Sequence, residues 1–286
     1  MIYTKDGKTT QNAYDAEGQL LNVAYSKDGA KVYPALKVMS YNVGQWYVGG
    51  GDNVPAAKDA EYYALQNGML LRDDPDILCI QEYWKVFSKS GRTAKSMLEQ
   101  YFPYIHEQGG DSGYFGRCVC SKYPITDYTV RLYKGESDRY FDSFTVTVHG
   151  TPITVVNTHL GLTQTARDAE IAELIAFLKA QTRFLCCGDF NTVIVYDDPA
   201  SAAPTSQEYI DNVKPFIDEG FHSANFTEFG FLCTQVKNGG ARKLCLDTVY
   251  TSANIEITDA YTDTTKLYDG LTDEVDHLPI LAEVII

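Results

Sequence analysis

The feature that most constrains this fold is a set of strand-like runs that are apolar along their length and stop at an amide, a carboxylate or a histidine. Val38-Met39-Ser40-Tyr41-Asn42-Val43 stops at Asn42, and Asp76-Ile77-Leu78-Cys79-Ile80-Gln81-Glu82 stops at Glu82. Ile153 to Asn157 runs into Thr158-His159, and Phe184 to Cys187 into Gly188-Asp189-Phe190-Asn191. Asp247 stands at the head of the Leu246 to Tyr250 run, and Asp276-His277 precede the terminal run Leu278 to Ile286. Strands without polar alternation are buried on both faces. With further strands at Gly116 to Cys120 and Phe141 to Val148, they predict two packed sheets with helices outside them. One helix is expected from Ala56 to Leu71. Another carries Ile171, Leu174, Ile175 and Leu178 at the i, i+3, i+4, i+7 spacing of an element packed on a sheet.

In packed sheets the strand ends converge, and ligands bind in the crevices beyond them. Taken singly, these residues have plain explanations: Glu82 as a solvated strand end, His159 as a structural histidine, Asn191 and Asp247 as loop and turn caps. Six such stops in one chain, all with oxygen ligands or imidazole, read as one constellation.

Composition limits the function. Acidic side chains number 38 against 24 basic ones, a net charge of −14 over 286 residues, which argues against tight nonspecific nucleic-acid binding. It leaves room for an enzyme that meets phosphate through bound cations. No apolar run is long enough to span a bilayer and no leader pattern opens the chain, so a soluble and cytoplasmic protein is expected. Seven cysteines, five of them (Cys79, Cys118, Cys120, Cys186, Cys187) inside apolar runs, agree with a reducing compartment. Cys233 and Cys245 flank Lys237-Asn238-Gly239-Gly240, a hairpin signal that could bring them opposite each other.

The first 34 residues differ from the rest. Tyr3, Tyr14 and Tyr25 are spaced by 11, as are Gly7, Gly18 and Gly29, and Asp6, Glu17 and Asp28 precede the glycines. Acid-Gly between short runs is hairpin chemistry. Residues 1–34 therefore read as a β-repeat appendage of three 11-residue units, and residues 35–286 as the main domain. The appendage is an attachment module for a partner, or else a spacer or strand set that packs on the main domain.

Together, Tyr41-Asn42-Val43-Gly44, Ile80-Gln81-Glu82, Asn157-Thr158-His159-Leu160, Gly188-Asp189-Phe190-Asn191-Thr192, Leu246-Asp247-Thr248-Val249-Tyr250 and Asp276-His277-Leu278-Pro279-Ile280 resemble, in order, the motifs of the endonuclease/exonuclease/phosphatase superfamily with its DNase I-like fold. Ser121-Lys122-Tyr123-Pro124-Ile125 is similar to that family's segment between the second and third motifs. The resemblance covers about residues 36–286. It implies an α/β (α+β) class chain: a four-layer α/β sandwich of two mixed β-sheets flanked by helices, cleaving phosphate esters with Mg²⁺, or Mn²⁺ or Ca²⁺. It further implies Glu82, helped by Asn42, as metal ligand, with Asp276 at a second metal position. Asp189 would activate water, Asn191 would hold water or phosphate, Asp247 would orient His277, and His159 would meet the scissile phosphate. These roles suit the groups, since Mg²⁺ takes oxygen ligands and a carboxylate fixes the tautomer of a histidine.

Two departures bear on substrate. Val275 stands where the family commonly has Ser, and Tyr83-Trp84 follow Glu82 where DNase I-type nucleases have a basic residue. The histidine in Asn157-Thr158-His159 resembles the DNase I, sphingomyelinase, deadenylase and inositol-phosphatase branches. The inositol 5-phosphatase signature is missing around Asp247, and Arg167 resembles a feature of bacterial members. Trp46, Trp84 and Arg167 are candidate rim residues, suited to stacked bases or a quaternary ammonium group, or else to finishing the core edge. Gly49-Gly50-Gly51 is a mobile loop over the site or a plain connection, without the ending of a P-loop. Arg131, Lys134 and Arg139 form the nearest thing to a basic cluster, a DNA contact or a solvated loop. Phe226 to Leu232 is a membrane-docking candidate or a buried strand. Three readings stand: a phosphodiesterase acting as nuclease, a sphingomyelinase-like or small-molecule phosphoesterase, and a noncatalytic binder on the same fold. Intact Glu82, Asp189, Asn191, Asp247 and His277 weigh against the last.

Overall fold

A computed structural model describes residues 2–5, 8–14, 20–25, 31–32, 35–46, 56–86, 92–110, 116–134, 139–196, 198, 200, 203–226, 231–237, 242–264 and 277–286. Strands β1 (Ile2–Lys5), β2 (Lys8–Tyr14), β3 (Leu20–Tyr25) and β4 (Lys31–Val32) form an antiparallel sheet of their own. Its register sets Tyr3 against Thr10, Tyr14 against Leu20 and Tyr25 against Thr9. The three acid-Gly turns lie outside the described residues.

The elements that follow are β5 (Leu36–Asn42), α1 (Ala56–Asp73), β6 (Ile77–Tyr83), α2 (Ala94–Leu98), β7 (Tyr104–Gln108), β8 (Gly116–Ser121), β9 (Thr126–Leu132), β10 (Tyr140–Val148), β11 (Thr151–His159), α3 (Gln164–Lys179), β12 (Phe184–Val195), α4 (Gln207–Asn212), α5 (Lys214–Asp218), β13 (His222–Ser223), β14 (Gln235–Lys237), β15 (Arg242–Thr251), β16 (Glu256–Thr262) and β17 (Ile280–Ile285). One sheet runs β16-β17-β5-β6-β8-β7 and the other β13-β15-β12-β11-β10-β9, with β14 paired to β15. Each is mixed: β5 with β6 and β11 with β12 are parallel, and their other pairs antiparallel.

Four layers follow from which face each strand buries. Between the sheets lie Val38, Ile77, Val119, Phe144, Val155, Leu185 and Val249. Alternate residues Met39, Tyr41, Leu78 and Ile80 face outward onto Met69 and Leu70 of α1 and onto Met97 and Leu98 of α2. On the other sheet Val156, Phe184, Cys186 and Tyr250 face Ile171, Leu174 and Leu178 of α3 and Phe216 of α5. The α3 stripe is therefore the packing face the sequence indicates, and the helix starts where the Thr163 hydroxyl accepts from the Ala166 amide at 3.3 Å, a side-chain N-cap.

The strands β7, β9, β14 and β16 go beyond the sequence expectation. β9 is mostly exposed, so its sequence has no core pattern to betray it. The hairpin around Lys237 does form, but Gln235 pairs with Leu244 and Lys237 with Arg242. That register leaves Cys233 one residue out of step with Cys245, and no disulfide joins them. The turn residues 238–241 lie outside the described residues. No helix among the described residues is long and apolar enough to cross a membrane.

Candidate active site

The polar residues are the last inward-facing positions of strands whose other inward residues make the core. Side chains alternate along a strand, so Leu36, Val38, Ser40 and Asn42 share one face of β5, and Ile153, Val155, Asn157 and His159 share one face of β11. By the same count Cys79 is followed inward by Gln81, Val119 by Arg117, Phe144 by Asp142, Cys187 by Asp189, and Val249 by Asp247. The interface between the sheets thus changes from apolar to polar at one end, and hydrogen bonds cross it there. The Asn42 amide donates to Asp189 Oδ2 at 3.0 Å, joining β5 to β12. Gln81 Nε2 donates to Asn157 Oδ1 at 2.8 Å, and Asn157 Nδ2 to the Ile80 carbonyl at 3.0 Å, joining β6 to β11.

Glu82 has the wrong parity for this face, and its backbone corrects that. The residue has φ +50°, and the register between β6 and β8 slips between Ile80 and Tyr83. A bulge re-aims a side chain, and Glu82 Oε1 accepts from the Asn42 amide at 3.2 Å. Asn191 repeats the device, with φ +50° in a stretch where the β12–β15 register slips between Asp189 and Ile194. Its side chain donates to the Leu160 carbonyl at 2.8 Å. Because of this irregularity β12 and β15 continue past the site, so Asp189 and Asp247 sit inside strands rather than at strand ends.

Asp189 is the centre. Its Oδ1 accepts from the Asn191 amide at 2.8 Å, and its Oδ2 lies 3.4 Å from His159 Nε2 and 3.8 Å from His277 Nε2. Asp247, opposite it in the register, bonds His277 Nδ1 through Oδ2 at 2.9 Å. Burial, and then the neighbouring Asp247 charge, push the Asp189 carboxyl up to about 6, against the pull of His277, Asn42 and the Asn191 amide. Burial, and then Arg139, Arg117 and His277, push His159 well below its usual range. Gly188 is required between them, since a Cβ there would meet Thr158 Cγ2 and the Thr158 carbonyl oxygen at 2.6 Å.

Gln235 is a site residue that the motifs do not mark. Its Nε2 lies 3.0 Å from His277 Nε2, and the Leu278 amide donates to the Thr234 carbonyl at 2.7 Å, so β14 pins the histidine segment. The Nδ1 bond to Asp247 fixes how the ring presents Nε2 to Gln235. Its one sequence signal is its place just before the Lys237 turn.

Other expectations are corrected. Trp46 is 2 % exposed, stacked edge-on to Tyr83 with its indole donating to the Trp84 carbonyl, so it closes the core instead of rimming the site. Trp84 is half-buried against the same cluster. Arg167, 4 % exposed, donates to the Leu162 carbonyl at 2.9 Å and to Asn212 Oδ1 at 3.0 Å. It belongs to the scaffold: with Glu170, which accepts from the Gly161 amide at 2.6 Å, it holds the turn after His159. The basic cluster separates. Arg131 stacks on Phe177, the Lys134 amide bonds Glu173, and only Arg139 comes near Asp189 and Glu82. Phe226 is buried with Ile194, Val213 and Cys245, but neither it nor Phe231 and Leu232 lies in a strand and Phe231 is exposed, while residues 227–230 lie outside the described residues. Gly49-Gly50-Gly51, Val275 and Asp276 also lie outside them.

Asp189, Asp247 and His277 bring ligand atoms within 4.8 Å of one another, all buried. Among the described residues the Asp247 Oδ1 is buried with no hydrogen-bond partner, and the Asn42 amide ties a Glu82 carboxylate oxygen to the Asp189 side of the site. This oxygen-rich set fits a hard divalent cation.

A profile of the Endonuclease/Exonuclease/phosphatase family matches residues 44–269. No curated protein sequence matches the chain. Among solved structures, an endonuclease/exonuclease/phosphatase family protein from Leptotrichia buccalis C-1013-b aligns with TM-score 0.62 and 16 % identity, over 88 % of this chain and 100 % of that one. The catalytic domain of human Nocturnin with bound sulfate aligns with TM-score 0.62 and 16 % identity, over 90 % and 96 %. D. rerio TDP2 complexed with single strand DNA product aligns with TM-score 0.62 and 14 % identity, over 88 % and 99 %. At such identities the likeness is one of fold, and the fold is the four-layer sandwich expected.

Proposed function

From the premise that this chain belongs to the endonuclease/exonuclease/phosphatase family, a family of phosphate-ester hydrolases, we propose that it is a divalent-metal-dependent phosphodiesterase acting as a nuclease. One observation carries the reading: a buried carboxylate, Asp189, with the Asn42 amide, His159 and His277 within 3.0 to 3.8 Å of a single oxygen. A binder has no use for a buried carboxylate whose proton affinity is raised to about 6, whereas a general base near its working pH does.

Glu82 and Asn42 would hold Mg²⁺, or Mn²⁺ or Ca²⁺, with Asp276 at a second position. When bound, the cation supplies charge compensation at the phosphate oxygens and a more acidic water. Asp189 Oδ2 takes the proton of the attacking water, and Asn191, held by the Leu160 carbonyl, positions that water or a phosphate oxygen. Asp247 holds His277 in one tautomer and stabilises its imidazolium, which faces the charge developing on phosphate. His159, kept neutral by burial and the two arginines, hydrogen-bonds the scissile phosphate as an uncharged group. The D. rerio TDP2 complex with single strand DNA product supports a nucleic-acid diester as substrate. Residues 35–286 form the catalytic unit in this reading, and residues 1–34 an appended module.

The test is hydrolysis of bis(p-nitrophenyl) phosphate and p-nitrophenyl phosphate with Mg²⁺ or Mn²⁺, with and without EDTA, beside Asp189→Ala and His277→Ala. Metal-dependent diester turnover lost in both variants is expected. A monoester preference turns the reading to a phosphatase, and equal activity of the variants overturns the assigned roles.

A further inference from the structure

Arg117 is the buried charged group in the site's neighbourhood that the chemistry above leaves unused. It lies on the inward face of β8, one residue beyond the Gly116–Tyr83 pair and so beside Glu82. It is 3 % exposed, and its Nη1 is buried without a hydrogen-bond partner among the described residues. Its guanidinium lies 3.8 Å from the centroid of the Tyr140 ring. The register of Phe141 with Thr158 places Tyr140 opposite His159, so that stack carries the guanidinium to the site. Asp142, on the same face of β10, is fully buried beside Tyr128, and neither of its carboxylate oxygens has a well-formed hydrogen bond among the described residues. Burial pushes its carboxyl up to about 6, while the Arg117 charge pulls it down.

A buried guanidinium with an unsatisfied donor, in a chain of net charge −14, costs stability unless an anion completes it. Arg139, just before β10, stands near enough for the two cations to repel each other, and near enough to Glu82 and Asp189 to be drawn by them. The site is therefore polar end to end: carboxylates and His277 over β15, β12 and β6, His159 on β11, and two guanidiniums over β10 and β8. The planar guanidinium fork matches phosphate oxygens.

We propose that Arg117, stacked on the Tyr140 ring, is a specificity-determining residue that binds a second phosphate of the substrate, on the β8–β10 side of the scissile ester. This rests on the phosphodiesterase reading and narrows it to substrates bearing a further phosphate next to the cleaved one.

The test measures binding apart from turnover. Titration calorimetry compares thymidine 3′,5′-bisphosphate with thymidine 5′-monophosphate on the full chain. The unmodified protein is expected to bind the bisphosphate at least tenfold more tightly, and Arg117→Met to bring that ratio to about one. Asp142→Asn, which removes the competing carboxylate and keeps the shape, is expected to raise the ratio, and decides the matter should Arg117→Met fail to fold. A ratio near one in the unmodified protein, or one that neither variant changes, overturns the inference. Bis(p-nitrophenyl) phosphate turnover, run in parallel, reports on the parent reading alone: turnover without bisphosphate selectivity sinks only the role of Arg117, and selectivity without turnover sinks only the hydrolase.

Discussion

The two ends of the interface between the sheets are built from the same strands and obey opposite rules. At one end Val38, Ile77, Val119, Phe144, Val155 and Leu185 are packed against one another, each such side chain contributing about 1.5–3 kcal/mol by leaving water. At the other, further along the same strands, stand Asn42, Gln81, Arg117, Asp142, Asn157 and Asp189, all buried. There burial is a cost, offset only where hydrogen bonds cross between the sheets. The difference teaches that the apolar end holds the sheets together so that the polar end can be held in an arrangement it would not choose alone.

The largest break in that comparison is Asp189→Asn. Turnover should fall about 10²–10⁴-fold as a general base is lost. Stability should move the other way: the folded carboxyl titrates at about 6 against a usual 3.8, so ionised Asp189 disfavours the folded state above pH about 6. Calorimetric melting in EDTA should show the variant more stable than the unmodified chain at alkaline pH, with the gap closing as pH falls from about 6 to 3.8. A variant less stable at alkaline pH breaks the claim that the polar end is a cost.

Leu185→Ala, at the apolar end of the same strand, should lose about 2–5 kcal/mol in urea unfolding, with kcat per folded molecule unchanged. A selective loss of kcat would mean that the two ends are not separable. Between them, Gln81→Ala leaves Asn157 Oδ1 without its donor and should cost about 1–3 kcal/mol, read by the same unfolding curve.

The smallest effect sharpens the comparison away from the site. Asp73, at the end of α1, has its carboxyl pushed up to about 7 by burial first and by Asp263 next. The stability this gives is fully present below pH 3.8 and lost as pH rises through about 7. Asp73→Asn should flatten the melting temperature across that window without touching turnover. An altered pH–rate profile would show that this carboxylate pair communicates with Asp189.

Much of this is legible in the amino-acid order. The apolar runs mark β5, β6, β8, β10, β11, β12, β15 and β17, because strands buried on both faces must be apolar on both. The edge strand β9 is not legible, because exposed residues are under no such demand. At the site, Asn42, His159, Asp189 and Asp247 can be read from the motifs, but for Trp46 the motifs leave rim and core edge open, and Arg167 as a rim residue is misplaced. An indole near a strand end looks alike whether it rims a cleft or closes a core, and only the contact with Tyr83 tells them apart. Gln235 and Arg117 carry no local pattern, since each meets its partner across the fold.

By itself, then, the sequence determined the layers and the kinds of group at the site, because hydrophobic periodicity and residue chemistry are local properties. Only the tertiary structure decided that Glu82 turns inward through a left-handed backbone, that Asp189 stands next to Asp247, and that a guanidinium from each sheet lies near His159. Those depend on register and bulges between strands far apart in the chain, as for Asn42 and Glu82 at a separation of 40 and Asn42 and Asp189 at 147. Distances of that kind are set by how the sheets pack, and no short stretch of chain encodes them.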